Sequence, residues 1–133
     1  MEQTLVIIKP DGVRRKLIGK IIQRFEDRGL ILKKMQQQTF DQSLIREHYA
    51  HLKDKPFFDE LLIYMTSGPA IVMILEEKNV IQIVRKMIGA TNALEASPGT
   101  IRGDFAIGTT ENIVHASDSP ESAEIEIRRF FPS

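Results

Sequence analysis

His115 is the side chain whose type and setting favour chemistry most strongly. It follows Asn112 and precedes Ser117, close to a short apolar segment. Histidine changes its protonation near neutral pH, so it can act as a nucleophile or as a general base. Glu126 follows in a segment predicted to be helical, and its carboxylate could hold one ring nitrogen and leave the other as the nucleophile. The alternatives are a buried structural histidine and a solvated glutamate.

Three cations stand in separate parts of the chain, Lys9 at the predicted end of a strand and Arg85 and Arg102 beside or within a long loop. Each of them alone is typical of a surface charge. A phosphate site that lacks a dedicated loop needs cations that converge from separate elements. The three positions are therefore candidates for such a site.

Two further clusters have weaker chemical meaning. His48 and His51 are three residues apart beside Glu47, a spacing that can hold a metal, but no third ligand is matched to the pair, so we expect no metal held by protein side chains. A basic run opens a predicted helix, and it is more typical of a solvated helix face than of nucleic-acid contact; its members are Arg14, Arg15, Lys16 and Lys20.

Composition narrows the function classes. The 133 residues are predicted to form a single domain, 1–133, with 18 basic and 18 acidic side chains and no cysteine. Zero net charge disfavours a dedicated nucleic-acid or membrane-surface protein. Without cysteine there are no disulfides or thiolate sites, and the chain is compatible with a reducing cytoplasm, the predicted location. The apolar run 5–8 is too short for a signal peptide or a membrane span.

Hydrophobic periodicity predicts alternating strands and helices. Strands are expected at residues 5–8, 30–40, 70–75 and 113–115. Helices are expected at 17–25, 41–52, 57–65 and 80–88, with a last one from 120. Gly29 and Gly89 are predicted to end helices, whereas Asp41 and Ser119 are predicted to cap them. Residues 89–111 are expected to form a long loop, which is usually functional in a compact domain.

This order predicts an α+β fold of the ferredoxin-like kind, βαββαβ, with an antiparallel sheet. The helix pair within 41–65 would be an insertion, the 89–111 loop would precede the last strand, and a C-terminal helix would follow it. Helices would cover one face of the sheet. The other face would be covered by insertions or by a partner chain, and a bare face would favour a homo-oligomer.

The segment 112–119, Asn-Ile-Val-His-Ala-Ser-Asp-Ser, closely resembles the active-site signature of nucleoside diphosphate kinases, N-x-x-H-G-S-D. Four other segments match that family in the same order along the chain: 8–12, 64–69, 89–92 and 98–104. The glycine-rich fingerprints of other nucleotide-binding proteins are absent. The resemblance covers nearly the whole chain.

The resemblance implies a reaction. The γ-phosphoryl group of a nucleoside triphosphate such as ATP would pass to a nucleoside diphosphate by a ping-pong route through a phosphohistidine, with little base discrimination. His115 would be the nucleophile, attacking through Nδ1. Glu126 would hold the other ring nitrogen, and Ser117 would lie near that pair. Mg²⁺ would arrive on the nucleotide phosphates.

The resemblance also implies binding roles. Lys9 would contact the transferring phosphate and the ribose 3′-hydroxyl, and Asn112 would bind the ribose. Phe57 would stack on the base, and Tyr49 would support the histidine and the phosphates. The remaining phosphates would be held by Arg85, Thr91 and Arg102. The family also implies dimers assembled into hexamers or tetramers.

Two positions depart from the family pattern. Ala116 replaces the usual glycine after the nucleophile, which is tolerated if the backbone there has a negative φ. Thr109 stands where an apolar residue often faces the stacking Phe57. Two other functions remain open: an idle nucleotide-binding regulatory module, for which Ala116 is the support, and a nucleic-acid-binding protein that uses the basic run.

Overall fold

The computed structural model describes residues 1–132, which contain four strands and seven α-helices. The strands are β1 (Glu2–Ile8), β2 (Ile31–Gln38), β3 (Ala70–Glu77) and β4 (Val114–Ala116). The helices are α1 (Pro10–Arg14), α2 (Ile18–Asp27), α3 (Gln42–His48), α4 (Phe58–Met65), α5 (Val80–Ile88), α6 (Ile101–Phe105) and α7 (Pro120–Phe130). Within these residues no helix has the length and apolar character needed to cross a bilayer.

The four strands form one sheet in the order β2-β3-β1-β4, and every neighbouring pair is antiparallel. This is the predicted ferredoxin-like α+β arrangement with an inserted helix pair. β4 pairs with the end of β1, and His115 lies opposite Ile7. The register therefore places the histidine beside the strand that leads directly into Lys9.

Both faces of the sheet are covered by this chain. On one face, Val6 and Ile8 pack with the apolar stripes of α2 and α5. On the other face, Leu5 and Ile7 pack with residues of α3, α4 and α7. The second face was expected to be covered by insertions or by a partner chain, and the inserted helices together with the last helix supply the apolar side chains that cover it. A homo-oligomer therefore gains no support from an uncovered sheet.

Several helix ends lie where local chemistry predicts them. The side chain of Asp41 accepts a hydrogen bond from the amide of Leu44, and Ser119 caps α7 in the same way. Gly29 has a φ of 89° immediately after α2, and Gly89 has a φ of 88° at the end of α5. Positive φ values are accessible to glycine at little cost, which explains why these two helices end there.

Three predicted segments needed correction. The Lys-Pro-Asp-Gly segment at 9–12 has the residue types of a turn and was predicted to form one. Residues 10–14 instead form α1, because a proline at the first position fits the start of a helix. The 89–111 loop contains α6, whose N-cap Thr100 accepts from the amide of Gly103. The last strand begins one residue later than predicted, since Ile113 has a φ of 76° and cannot continue a strand.

The helix predicted for 41–52 is also shorter. It ends at His48, and Tyr49 leaves the helical conformation before a short 3₁₀ helix at Ala50–Leu52. This change of direction places His48 and Tyr49 side by side, with their ring centroids 4.5 Å apart. Both side chains then face the sheet near His115.

Gly103 in α6 allows a close approach that an alanine would block. A Cβ at this position would lie 1.9 Å from the carbonyl oxygen of Ser97, whereas a Cβ at Gly19 in α2 would meet nothing within 4 Å. We expect Gly103→Ala to destabilise the fold by about 2 kcal/mol or more because backbone must move. Gly19→Ala, the matched control, should stabilise it by roughly 0.5 kcal/mol. Urea unfolding measures both, and equal stabilities for the two variants would contradict the packing around α6.

Candidate active site

The ten residues singled out in the sequence meet at one cavity of about 820 Å³, a size typical of small-molecule sites. Nine of them line its wall: Lys9, Tyr49, Phe57, Arg85, Thr91, Arg102, Asn112, His115 and Glu126. The tenth, Ser117, lies behind the wall and contacts Glu126. The fold thus brings together side chains from β4, α5, α6, α7 and the segments between elements, including Lys9 directly after β1.

His115 and Glu126 form the contact that the sequence suggested. Nε2 of His115 lies 2.8 Å from Oε1 of Glu126, and the hydroxyl of Ser117 donates to the same oxygen at 2.8 Å. A carboxylate on Nε2 favours the tautomer that carries its proton there. Nδ1 then has its lone pair available, and no hydrogen-bond partner for it exists within residues 1–132. The imidazole is therefore oriented for nucleophilic use of Nδ1.

Burial lowers the pKa of His115 from its ordinary value, and the charges of Lys9 and Arg102 act in the same direction. Glu126 opposes them through its hydrogen bond and its charge. The net effect keeps the imidazole neutral at pH 7, which is the nucleophilic form. The side chain is 19% exposed, so it remains accessible from the cavity.

Lys9 is a buried cation at the end of β1. Its Nζ donates to Oδ1 of Asn112 at 2.8 Å, and Nδ2 of the same Asn112 side chain donates to the carbonyl of Thr91 at 3.0 Å. Burial lowers the pKa of Lys9 to about 7, with Arg102 adding to the shift and Asp11 opposing it. A buried ammonium next to a guanidinium gains stability when an anion binds beside both.

Arg102 is also buried, and its guanidinium is held by two carbonyl oxygens. It donates to Gly89 at 3.0 Å and to Val114 at 2.7 Å. Burial and the nearby Arg85 lower the pKa of Arg102 to about 10, so it stays charged at neutral pH. Arg85 donates to the carbonyl of Ala116 at 3.2 Å, which brings a second guanidinium to the same wall.

Several polar atoms of the cavity wall are buried and have no hydrogen-bond partner among residues 1–132. They are Nε2 of His48, the hydroxyl of Tyr49, and Nε of Arg102 and of Arg129. Unpaired buried donors are costly, and they are satisfied when a polar ligand or water enters. Phe57, by contrast, is 41% exposed at the mouth of the cavity, where an aromatic base can stack on it.

His48 contacts His115 rather than pairing with His51. Its ring stands edge-on to that of His115 with centroids 4.7 Å apart, and its Nδ1 lies 3.0 Å from a guanidinium nitrogen of Arg129. Burial, together with nearby positive charge, lowers the pKa of His48 to about 2, so its ring is neutral. His51 is exposed, so the pair does not converge on one ion.

A different group does converge, since ligand atoms of His48, His115 and Glu126 lie within 4.8 Å of one another. Nδ1 of His48 faces the guanidinium of Arg129, and Nε2 of His115 is engaged by Glu126. The buried charges nearby are also cationic. These surroundings suit an anion better than a metal ion.

Ala116, which replaces the usual glycine, is accommodated without backbone strain. Ala116 lies in β4 opposite Val6, in extended backbone, so its methyl group needs no left-handed conformation. Thr109 lines the cavity together with Phe57. The replacement of glycine by alanine thus leaves the histidine segment in regular strand geometry.

Sequence reasoning missed three residues that shape this site: Asp11, Arg129 and His48 as a neighbour of His115. A signal for His48 was present, since it lies three residues after the buried Ile45 and so shares the inward face of α3. Asp11 was interpreted as turn chemistry, and nothing in its spacing indicated a buried carboxylate. Arg129 belongs to the last helix, whose docking is a tertiary event.

Comparison with known proteins agrees with this geometry. The family model of nucleoside diphosphate kinase matches residues 2–133. A nucleoside diphosphate kinase of Acetivibrio thermocellus is 55% identical over 132 residues, which is 99% of this chain and 97% of the relative. One from Methanocaldococcus jannaschii is 55% identical over 130 residues, covering 98% of this chain and 93% of the relative.

Solved structures agree in fold. The apo nucleoside diphosphate kinase of Encephalitozoon cuniculi superimposes with a TM-score of 0.98 at 44% identity, covering 100% of this chain and 90% of that one. The Halobacterium salinarum enzyme, solved in complex with CDP, gives 0.96 at 44% identity, with 99% and 88% covered. From its sequence, its fold and the residues at its cavity, this chain belongs to the nucleoside diphosphate kinase family, a family of phosphotransferases.

Proposed function

We propose that this chain transfers the γ-phosphoryl group of a nucleoside triphosphate such as ATP to a nucleoside diphosphate through a phosphohistidine at His115. The observation that carries the proposal is the Nε2 contact of His115 with Glu126, which leaves Nδ1 unpaired beside two buried cations. A reaction of this type needs in-line placement and positive charge on the phosphate oxygens. Family membership supports the same reaction, and a relative solved with CDP supports nucleotide binding.

In the first half-reaction, the lone pair on Nδ1 of His115 attacks the γ-phosphorus. A P–N bond forms while the bond from phosphorus to the β–γ bridging oxygen breaks, and the diphosphate leaves with that oxygen. Glu126 holds the proton on Nε2 and stabilises the positive charge that develops on the ring. In the second half-reaction, a terminal oxygen of the acceptor diphosphate attacks the same phosphorus, and the P–N bond breaks.

The binding roles follow from the cavity wall. Lys9, Arg85 and Arg102 would hold phosphate oxygens, with the exposed residue Thr91 beside them. Asn112, already bonded to Lys9, would bind the ribose. Tyr49, whose hydroxyl has no partner in the described part of the chain, would support the histidine and the phosphates, and Phe57 would stack on the base. Because stacking does not read base edges, we expect low base discrimination.

The same proposal includes Mg²⁺, which would enter the site bound to the nucleotide substrate. The carboxylate of Glu126 is occupied by His115 and Ser117, and the buried charges of the wall are cationic. These residues fit an ion coordinated by the nucleotide phosphates rather than by a protein cage. Bound in this way, Mg²⁺ neutralises phosphate charge. The single domain, the homo-oligomer of hexamer or tetramer type and the cytoplasmic location remain predictions.

The nucleic-acid alternative gains nothing from the geometry. Arg14 donates to the hydroxyl of Ser67 at 3.0 Å, and Arg15 donates to the carbonyl of Phe105 at 2.6 Å. Half of the basic run is therefore engaged within the fold. The regulatory-module alternative differs from an enzyme in one observable respect, since it binds nucleotide without forming a phosphoenzyme.

Incubation with γ-labelled ATP and Mg²⁺, without an acceptor, tests the proposal. We expect acid-labile label on the protein, and GDP added afterwards should remove it as labelled GTP. His115→Gln should fold, as judged by circular dichroism, and take up no label, because the nucleophile is gone. Folded wild-type protein that binds ATP and stays unlabelled would contradict the enzyme and favour the regulatory module.

Glu126 can be tested by Glu126→Gln, which keeps the size and removes the charge. We expect kcat to fall about 10- to 100-fold because the developing imidazolium loses its counter-charge. The pKa of His115 should fall as well, since Glu126 raises it, so the acid limb of the pH profile should move to lower pH. Glu124→Gln, on the exposed face of the same helix, is the matched control and should leave both unchanged. Equal effects of the two variants would remove Glu126 from the mechanism.

The pKa of Lys9, about 7 in the free protein, predicts an alkaline limb. As pH rises through this value, Lys9 loses its charge and the free enzyme binds phosphates less well, so kcat/KM should fall. Bound phosphate raises the pKa of Lys9, so the fall in kcat should occur at higher pH. Lys9→Arg, if active, should lack the limb because a guanidinium stays charged. An alkaline limb that persists in that variant would assign it to another group.

A further inference from the structure

Asp11 is a buried carboxylate that lies outside the cavity and that the mechanism above does not use. It is 5% exposed and belongs to α1, the short helix after Lys9. Its two oxygens have separate partners: Oδ1 accepts from the hydroxyl of Tyr64, and Oδ2 accepts from the amide of Ile113 at 3.2 Å. Burial and the hydrogen bond to Asp11 raise the pKa of Tyr64, which keeps its hydroxyl protonated and donating.

The amide that Asp11 accepts belongs to a strained turn. Ile113 has a φ of 76°, and the amide of Val114 donates to the carbonyl of Asn112 at 2.8 Å, the hydrogen bond of a γ-turn. A β-branched residue in this conformation costs about 1–3 kcal/mol and persists when its surroundings hold it. The turn is therefore a shape that the chain would leave if its restraints were removed.

Two hydrogen bonds restrain Ile113 from both sides. Its amide is held by Asp11, and its carbonyl accepts from the amide of Lys9 at 2.7 Å. Gly12 allows this close approach, because a Cβ there would lie 3.2 Å from a methyl carbon of Ile113 and 2.8 Å from one of Ile8. The start of α1 thus packs against the turn, and within α1 it is the Asp11 side chain that accepts from the Ile113 amide.

The turn decides where Asn112 points. Asn112 is 2% exposed, and its side chain bridges Nζ of Lys9 and the carbonyl of Thr91. If Ile113 relaxed to a negative φ, the peptide joining it to Asn112 would rotate. The Asn112 side chain would then move away from Lys9, and the ammonium would lose the Oδ1 acceptor that orients it towards the cavity.

We infer that Asp11, supported by Tyr64, is a positioning residue for phosphoryl transfer: its carboxylate holds the strained turn at Ile113 and thereby places Asn112 and the Lys9 ammonium at the reacting phosphate. This inference rests on the proposed function. It adds a structural restraint that reaches the site through backbone, with no contact between Asp11 and the substrate.

Three variants separate this role from others. Asp11→Ala removes both hydrogen bonds, and kcat should fall about 10- to 100-fold because a displacement of roughly 1 Å at a reacting group is costly. Asp11→Asn can still accept from Ile113 through its oxygen and donate to Tyr64 through its amide, so it should recover most of the activity. Tyr64→Phe leaves the Ile113 contact but removes the support behind it, and kcat should fall about threefold.

A double-mutant cycle with Asn112→Ala provides the decisive readout. If Asp11 acts through Asn112, adding Asp11→Ala to Asn112→Ala should change kcat by less than about threefold. Multiplying losses would overturn the inference, as would full activity in Asp11→Ala. Loss of activity in Asp11→Asn equal to that in Asp11→Ala would also overturn it, because the hydrogen bonds would then not be what matters.

Two further measurements keep the result interpretable. Amide hydrogen exchange at Ile113 should be faster in Asp11→Ala than in wild type, a readout independent of activity. If wild-type protein forms no phosphoenzyme, the proposed function fails. The exchange result still shows, independently of activity, whether Asp11 holds the turn at Ile113. If Asp11→Ala does not fold, Tyr64→Phe and its cycle with Asn112→Ala carry the test, and an unchanged kcat in Tyr64→Phe then overturns the inference.

Discussion

The burial of two cations in one wall governs the design of this site. Lys9 and Arg102 are 6% and 4% exposed, and their side chains are hydrogen-bonded to the neutral oxygens of Asn112, Gly89 and Val114. Within residues 1–132 neither forms an ion pair with a carboxylate. A buried charge that lacks a counter-charge is costly, and an entering phosphate supplies one. Because these two charges are not neutralised in the free protein, phosphate binding relieves part of the cost of burying them.

Holding such charges in place demands rigid supports on several sides. Lys9 follows the central strand β1, and Arg102 lies in α6 and reaches across to the carbonyl at the start of β4. The turn between the loop and β4 supplies Asn112, and its strained residue Ile113 is held from α1. Each support is a hydrogen bond between segments distant in sequence. The positions of the site side chains consequently depend on how precisely the sheet beneath them is packed.

Prediction succeeded where short-range chemistry decides the outcome. Gly29, Asp41 and Ser119 end or cap their helices as local rules require, because a positive φ or a side-chain oxygen acts within a few residues. It failed where distant contacts decide. Helix α6 appears inside a segment interpreted as loop, and the covering of the second sheet face depends on how α3, α4 and α7 dock.

The amino-acid sequence by itself indicated the ferredoxin-like order of elements and the candidate nucleophile and cations, because these depend on residue types, periodicity and spacing. Five ordered segments, including the one around His115, gave the resemblance to the family, and the remaining candidate site residues followed from that resemblance. Only the tertiary structure decided that His48 lies against the His115 ring and that Asp11 holds the amide of Ile113. These contacts join positions far apart in the chain, and their geometry arises when the sheet and both helical layers pack together.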